Sequence, residues 1–325
     1  MKPIFSIFFA AFFSLTTQIS SQNAQLDSNV LRQDIQFYSS GFRLKGWLFL
    51  PADTVGKKFP VVVMAPGFSG TKECSYQFIA GNFAKSGLAV VLFDYPNFGE
   101  SEGTFRQEVD PWLQIQGYRD AISYAITQPQ INPDKVGVWG GSYSGGHAIV
   151  VSALDSRAKC FVAMTPYVSG YELVKQHSAA TSQFLQQQFN KDRLNRLNGL
   201  PPKMIPVVTQ KKGEFSAVGS SNAWDFVQRF ADYAPAYQNS VTLKSLEMEL
   251  EYEPGSYIER TGAKPKLFLL ATQDELIPES QILSVYDRAA EPKSVARFEG
   301  HHFSAYMEKQ QEVSRLAIDF FKKNL

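Results

Sequence analysis

The 325-residue chain has only two cysteines and four histidines, and no surplus of either charge: 32 Lys+Arg against 31 Asp+Glu leave a formal +1. Cys74 and Cys160 form no CxxC pair, and the histidines show no ligand spacing, so a metal centre and a disulfide-stapled miniprotein are excluded. There is no basic block either. Lys211-Lys212 and Lys322-Lys323 are isolated pairs, which removes the electrostatic basis for a nucleic-acid or anionic-membrane partner. Internal repeats and low-complexity tracts are also missing. With 44% hydrophobic and 14% aromatic residues, the chain has ample apolar material for a packed core, which excludes a disordered protein.

Residues 1–20 differ from the rest. Lys2 is the only charge before Asp27, and Ile4 to Leu15 is an apolar or small-residue run with five phenylalanines, followed by a polar exit. That run falls short of the roughly 20 apolar residues a membrane span requires. It has the layout of a secretory signal peptide over residues 1–20, cleaved within Ser20–Ala24. No second span follows, so a soluble, exported (secreted or periplasmic) mature protein is expected.

Phe42–Leu50 alternates apolar and polar side chains after Ile35–Tyr38 and a Ser-Ser-Gly turn, which predicts an antiparallel hairpin at a sheet edge. Pro60–Ala65, Leu88–Phe93, Val136–Trp139, Phe161–Met164 and Leu267–Ala271 are short, continuous apolar runs, as expected of strands buried on both faces of a parallel sheet. Helical stripes lie between them, over Trp112–Ile126 and through Val313–Phe321. The alternation predicts an α/β fold, a mostly parallel sheet with helices on both faces. Between Met164 and Lys266 the rhythm stops. Tyr171–Leu197 reads as helix, Leu200–Val208 is broken by prolines, Trp224–Phe230 is a short helix and Val241–Leu250 is ambiguous. A connection this long predicts a mainly helical cap. The expected organisation is core over 30–170, cap over 171–262 and core again over 263–325.

The chemistry lies at the ends of these runs. Val136-Gly-Val-Trp-Gly140-Gly-Ser142-Tyr143-Ser144-Gly-Gly146 takes a buried strand through a small-residue turn into a helix, a nucleophile elbow that strains Ser142 and frees its Oγ. A glycine-rich turn for tight packing is the bland alternative. Ser144 competes, but Gly140 directly follows the strand, and that spacing selects Ser142. A serine nucleophile needs a base, and the base needs an orienting acid. Gly300-His301-His302-Phe303 follows a strand-like segment. Of the pair His302 is favoured, lying directly before Phe303, while His147 and His177 are read as packing or surface residues. Asp274, three residues past Ala271, is the favoured acid, with Glu275 as rival and a turn-capping role as the alternative. The order Ser, Asp, His is that of α/β-hydrolases. Oxyanion donors are expected from the backbone N–H groups of Tyr143 and of Phe68, in the Pro66–Lys72 loop. Asp94 is read as anchoring its own loop. Cys74 follows a loop at the C-terminal sheet edge while Cys160 opens a strand at the other. About 17 Å of strand lies between those edges, well beyond the roughly 7 Å that bridged Cα atoms allow, so two free thiols are expected.

The stretches PGFSGTKE, FDYPNFGESEG, DPW, VGVWGGSYSGGH, YEPGSYIER, ATQDELIP and FEGHHFSAY together span roughly residues 33–323. On these the chain resembles α/β-hydrolases of the dienelactone-hydrolase-like or S9/S15-peptidase-like superfamily, in the subgroup that includes fungal polyketide transferases. The resemblance implies a catalytic Ser142–Asp274–His302 triad without metal or cofactor, acting on a small-molecule ester or acyl substrate; transferase and peptidase activities are the alternatives on the same scaffold. Two positions depart from the family pattern. Pro66 stands where many relatives have His, and Asn97 stands where Gly or Arg-Gly is common, at the expected substrate rim. The sequence specifies no oligomeric state.

Overall fold

The computed structural model describes residues 29–53, 56–211 and 214–325, so the expected leader over 1–20 and its cleavage window lie outside the described residues. The chain runs β1 (Val30–Ser39), β2 (Phe42–Pro51), β3 (Phe59–Ala65), α1 (Tyr76–Lys85), β4 (Ala89–Phe93), α2 (Pro111–Ile126), β5 (Ile131–Gly141), α3 (Tyr143–Leu154) and β6 (Ala158–Met164). An insert follows: α4 (Gly170–Lys175), α5 (Ala179–Leu197), β7 (Met204–Ile205), α6 (Ser221–Gln228), β8 (Val241–Thr242) and α7 (Leu243–Glu251), then a 3₁₀ segment over Pro254–Thr261. The chain ends with β9 (Lys266–Ala271), α8 (Glu279–Arg288), β10 (Lys293–Phe298) and α9 (Gln310–Asn324).

Eight strands form one sheet in the order β1-β2-β4-β3-β5-β6-β9-β10. β1 and β2 form the expected hairpin, β2 pairs antiparallel with β4, and from β4 onward neighbours are parallel. Strand periodicity divides the core in two. Val61, Val63, Val91 and Val138 pack with Ile115, Tyr118 and Ile122 of α2 and with α3. Val62, Met64, Val90, Leu92 and Val162 face the other way, onto Ile79 and Phe83 of α1 and Phe321 of α9. Both faces are covered, so each central strand is apolar on both sides and reads as an unbroken run.

Local chemistry sets the helix starts. Asp110 caps α2, its Oδ1 accepting the Trp112 and Leu113 N–H groups, with Pro111 in the first turn, where no N–H is missed. The helix expected over Tyr171–Leu197 is two helices. Ser178 turns extended, and its Oγ accepts the Thr181 N–H, capping α5 and ending the run from α4. Val241–Leu250 resolves into a two-residue strand pairing with Met204–Ile205 and a helix capped by Thr242. Both cysteines are free thiols and buried. Among the described residues no helix is long and apolar enough to cross a membrane.

Candidate active site

Because β3, β4, β5, β6, β9 and β10 are parallel, the segments that follow them gather at one sheet edge. Ser142 joins β5 to α3 with φ 57° and ψ −124°, a conformation that costs a non-glycine residue about 1–3 kcal/mol. Three backbone bonds hold it there: its N–H donates to the Met164 carbonyl (2.9 Å), and its own carbonyl accepts from Gly145 (2.8 Å) and Tyr167 (2.9 Å). The small neighbour is obligatory, since a Cβ on Gly140 would lie 1.9 Å from the Ser144 carbonyl oxygen. Ser144 does not compete. Its buried Oγ is tied to the Gly141 N–H and carbonyl, both at 2.9 Å.

His302 opens a 3₁₀ turn after β10. Its Nε2 is 2.9 Å from Ser142 Oγ, and its Nδ1 is 2.8 Å from Asp274 Oδ2. The His302 and Asp274 side chains are 1% and 2% exposed, so the pair is shielded from solvent. Asp274 Oδ1 accepts the N–H groups of Leu276 (3.0 Å) and Ile277 (2.9 Å), which aims Oδ2 at the imidazole. His301 faces elsewhere, its Nδ1 accepting the Phe303 N–H at 3.2 Å. Glu275 does not touch the imidazole ring. Its Oε1 accepts from Ser220 Oγ and Asn222 Nδ2 of the insert, and its Oε2 receives the His302 backbone N–H at 3.4 Å, so it links the insert to the histidine loop. No sequence pattern marks that role.

Phe68 and Tyr143 both line a cavity that Ser142 also lines. Neither backbone N–H donates to an acceptor among the described residues. The Gly67 N–H is taken by the Tyr76 hydroxyl at 2.6 Å, and a Cβ on Gly67 would crowd that hydroxyl (3.0 Å) and the Gly141 carbonyl (3.2 Å). Gly67 therefore owes its identity to packing against the elbow.

The loops are secured by buried charge. Lys72 donates its N–H to Asp94 Oδ1 (2.7 Å) and its Nζ to Asp94 Oδ2 (2.8 Å) and Glu100, and it lies over the Trp47 ring at 4.7 Å. Burial pulls the ammonium pKa down, but the carboxylates outweigh it and hold it above the usual lysine value. Asn97 is not on the rim. It is buried at φ 75°, and its Nδ2 donates to the Glu108 carbonyl, so it replaces glycine as a residue that tolerates positive φ and braces its own loop. Behind the elbow, His147 bonds to Tyr252 Oη (2.9 Å) and Gln114 Oε1 (2.8 Å). With Gln114 accepting, Nε2 carries the proton and Nδ1 accepts from the tyrosine. Burial lowers this imidazole's pKa to about 3, so it stays neutral and structural. His177 lies in the insert, half-buried and away from these groups.

A doubly covered parallel sheet with a strained serine at its edge defines an α/β-hydrolase, and the chain is an enzyme of that type. Residues 40–222, more than half of the chain, match the X-Pro dipeptidyl-peptidase (S15) family, and the chain belongs to it. Thiohydrolase aneE of Aspergillus aculeatus is 29% identical over 277 residues, covering 83% of this chain and 86% of the relative. The quorum-quenching protein AidA of Acinetobacter baumannii is 28% identical, covering 89% and 94%. Among solved structures, the α/β hydrolase GrgF from Penicillium, whose curated name is polyketide transferase, superposes with a TM-score of 0.78 at 21% identity, covering 90% of this chain and 99% of its own.

Proposed function

We propose that the protein is an exported serine hydrolase that cleaves a carboxylic ester or thioester through an acyl-enzyme. The observation that carries this reading is the 2.9 Å approach of His302 Nε2 to Ser142 Oγ, with Asp274 on the far nitrogen. Ser142 Oγ attacks the carbonyl carbon while its proton passes to His302 Nε2. Asp274 accepts from Nδ1, fixing the tautomer and stabilising the imidazolium that forms. The oxyanion is taken up by the Tyr143 and Phe68 N–H groups. The imidazolium then protonates the leaving oxygen or sulfur, and a water deprotonated by His302 frees the acid and restores Ser142. The insert over 171–262 acts as a cap, closing the site with Val207, Val218 and Phe226. Relatives named thiohydrolase and quorum-quenching protein support acyl chemistry on a small molecule. Export rests on the composition of residues 1–20, and fractionation of expressing cells tests it.

A fluorophosphonate probe followed by peptide mapping tests the mechanism. The label is expected on Ser142 and on no other serine, and it disappears in His302→Gln. Labelling at Ser144, or none, would falsify the assignment. A second reading, transfer of the acyl group to an alcohol, is favoured by the aromatic cavity wall around Ser142 and His302, which disfavours water. Product analysis with a competing alcohol separates the two: ester product exceeding free acid favours transfer.

A further inference from the structure

Ser142 stands where two cavities meet. The first, about 80 Å³, has His302 in its wall together with Phe226, Phe230, Phe303 and Tyr306. The second, about 120 Å³, is lined by Tyr143, Tyr167, Leu173, Ile277 and Glu249, without His302. Phe68, Val218 and Leu276 line both and stand between them. His302 must deliver its proton to the leaving atom, so the leaving group occupies the cavity that His302 lines. The acyl chain then lies in the other. This assignment rests on the hydrolase reading above.

The second cavity has an apolar wall interrupted by Ser169, Gln176, Gln281 and Glu249, and of these only Glu249 is buried. Glu249, on α7 of the insert, is 8% exposed, and its Oε2 is buried with no hydrogen-bond partner among the described residues. Burial pushes its carboxyl up to about 8, so at neutral pH it is mainly protonated and can both donate and accept. The Tyr143 hydroxyl, wholly buried, is likewise unpartnered, and Glu249 is close enough to raise its pKa further after burial has done so. The remaining tyrosine of this wall is already committed, the Tyr167 hydroxyl donating to the Glu249 main-chain carbonyl at 2.7 Å. Buried polar groups are normally paired, and Glu249 and Tyr143, each with an unpaired buried oxygen, both line this cavity.

We propose that Glu249 and the Tyr143 hydroxyl form the recognition end of an acyl pocket, selecting acyl groups that carry a neutral hydrogen-bonding oxygen such as a ketone or hydroxyl. A site built around such a group discriminates against the analogue lacking it, because its own buried atoms then stay unpaired.

The probes are p-nitrophenyl hexanoate, its 4-oxo and 5-oxo counterparts, and p-nitrophenyl 6-aminohexanoate, each assayed for kcat/KM. The wild type is expected to prefer at least one oxo ester over hexanoate by about 10-fold. Glu249→Leu brings the oxo/hexanoate ratio of kcat/KM to about one, and Glu249→Gln, which keeps a donor and an acceptor, retains most of the preference. Equal oxo/hexanoate ratios in wild type and Glu249→Leu overturn the proposal. So does a wild-type preference for the aminohexanoate, which would make Glu249 a cation site. If hexanoate is not turned over and Ser142 takes no fluorophosphonate label, the hydrolase reading itself falls and this inference falls with it.

Discussion

The wall around Ser142 has two sides built on different terms. On the sheet side the groups that hold His302 and the neighbouring loops are paired, although the Tyr143 hydroxyl is not. Asp274 accepts from His302, Leu276 and Ile277; Lys72 is held by Asp94, Glu100 and Trp47; His147 is bonded at both nitrogens. On the insert side Glu249 Oε2 has no partner among the described residues, and away from the cavities Leu194, Leu197 and Leu200 of the same insert face solvent. On the proposed mechanism the sheet side fixes the reacting atoms before any substrate arrives, which is where electrostatic pre-organisation acts. The insert side leaves hydrogen-bonding capacity open for the ligand. On the proposed reading the sheet side sets the geometry of reaction, while substrate choice is shared between Glu249 of the insert and Tyr143 beside the elbow.

The sharpest way to break this comparison is to remove the reacting groups. Ser142→Ala and His302→Gln should each lower ester kcat by about 10⁶ without unfolding the protein. His301→Gln should stay within about threefold, since that ring accepts the Phe303 N–H and makes no hydrogen bond to Ser142 or Asp274. A larger loss in His301→Gln than in His302→Gln would exchange the two histidines. Next comes the acid. Asp274→Asn should cost about 10⁴ in kcat, and Glu275→Gln, which loosens the tie between insert and histidine loop, about tenfold. Comparable losses in the two variants would mean that the acid is shared.

Stability effects are smaller in ratio but probe the sheet side directly. Lys72→Met leaves Asp94 buried without its ammonium and should lower unfolding free energy by about 3–5 kcal/mol in urea titrations. Glu100 adds little to that figure because it is 62% exposed. A loss under about 1 kcal/mol would show that water reaches Asp94. The last test concerns Glu249, and its sign follows from linkage. The carboxyl titrates near 8 in the folded chain and near 4.3 unfolded, so between those values the folded state binds more protons. Its contribution is complete below about pH 4 and is lost as pH rises through 8. The melting temperature of wild type should therefore fall relative to Glu249→Gln as pH is raised from 5 to 8.5. Parallel curves would mean that Glu249 is hydrated and ionised.

These differences also explain what a reader of the sequence can and cannot see. β3, β4, β6 and β9 stand out because burial on both faces makes each an uninterrupted apolar word, and the elbow stands out because Gly140 and Ser142 answer a local steric demand. His302 lies 2.9 Å from Ser142 across 160 positions, yet each is legible from its own strand end. Nothing local marks Glu249. In Leu246-Glu247-Met248-Glu249-Leu250 it looks like one more solvated charge, and only the insert's folding over the sheet edge buries it. The split between α4 and α5 was hidden for a related reason. Ser178 can sit inside a helix or cap one, and its surroundings choose the cap.

The placement of the two thiols has a practical consequence. Cys74 is in the wall of the cavity that holds His302, whereas Cys160 is sealed among sheet side chains, and burial raises both pKa values to about 12. Neither is a ready nucleophile, so oxidants and alkylating reagents gain access only when something opens. The two positions therefore act as separate clocks within one chain. Modification at 74 times the breathing of the leaving-group chamber, and modification at 160 times the parting of the sheet.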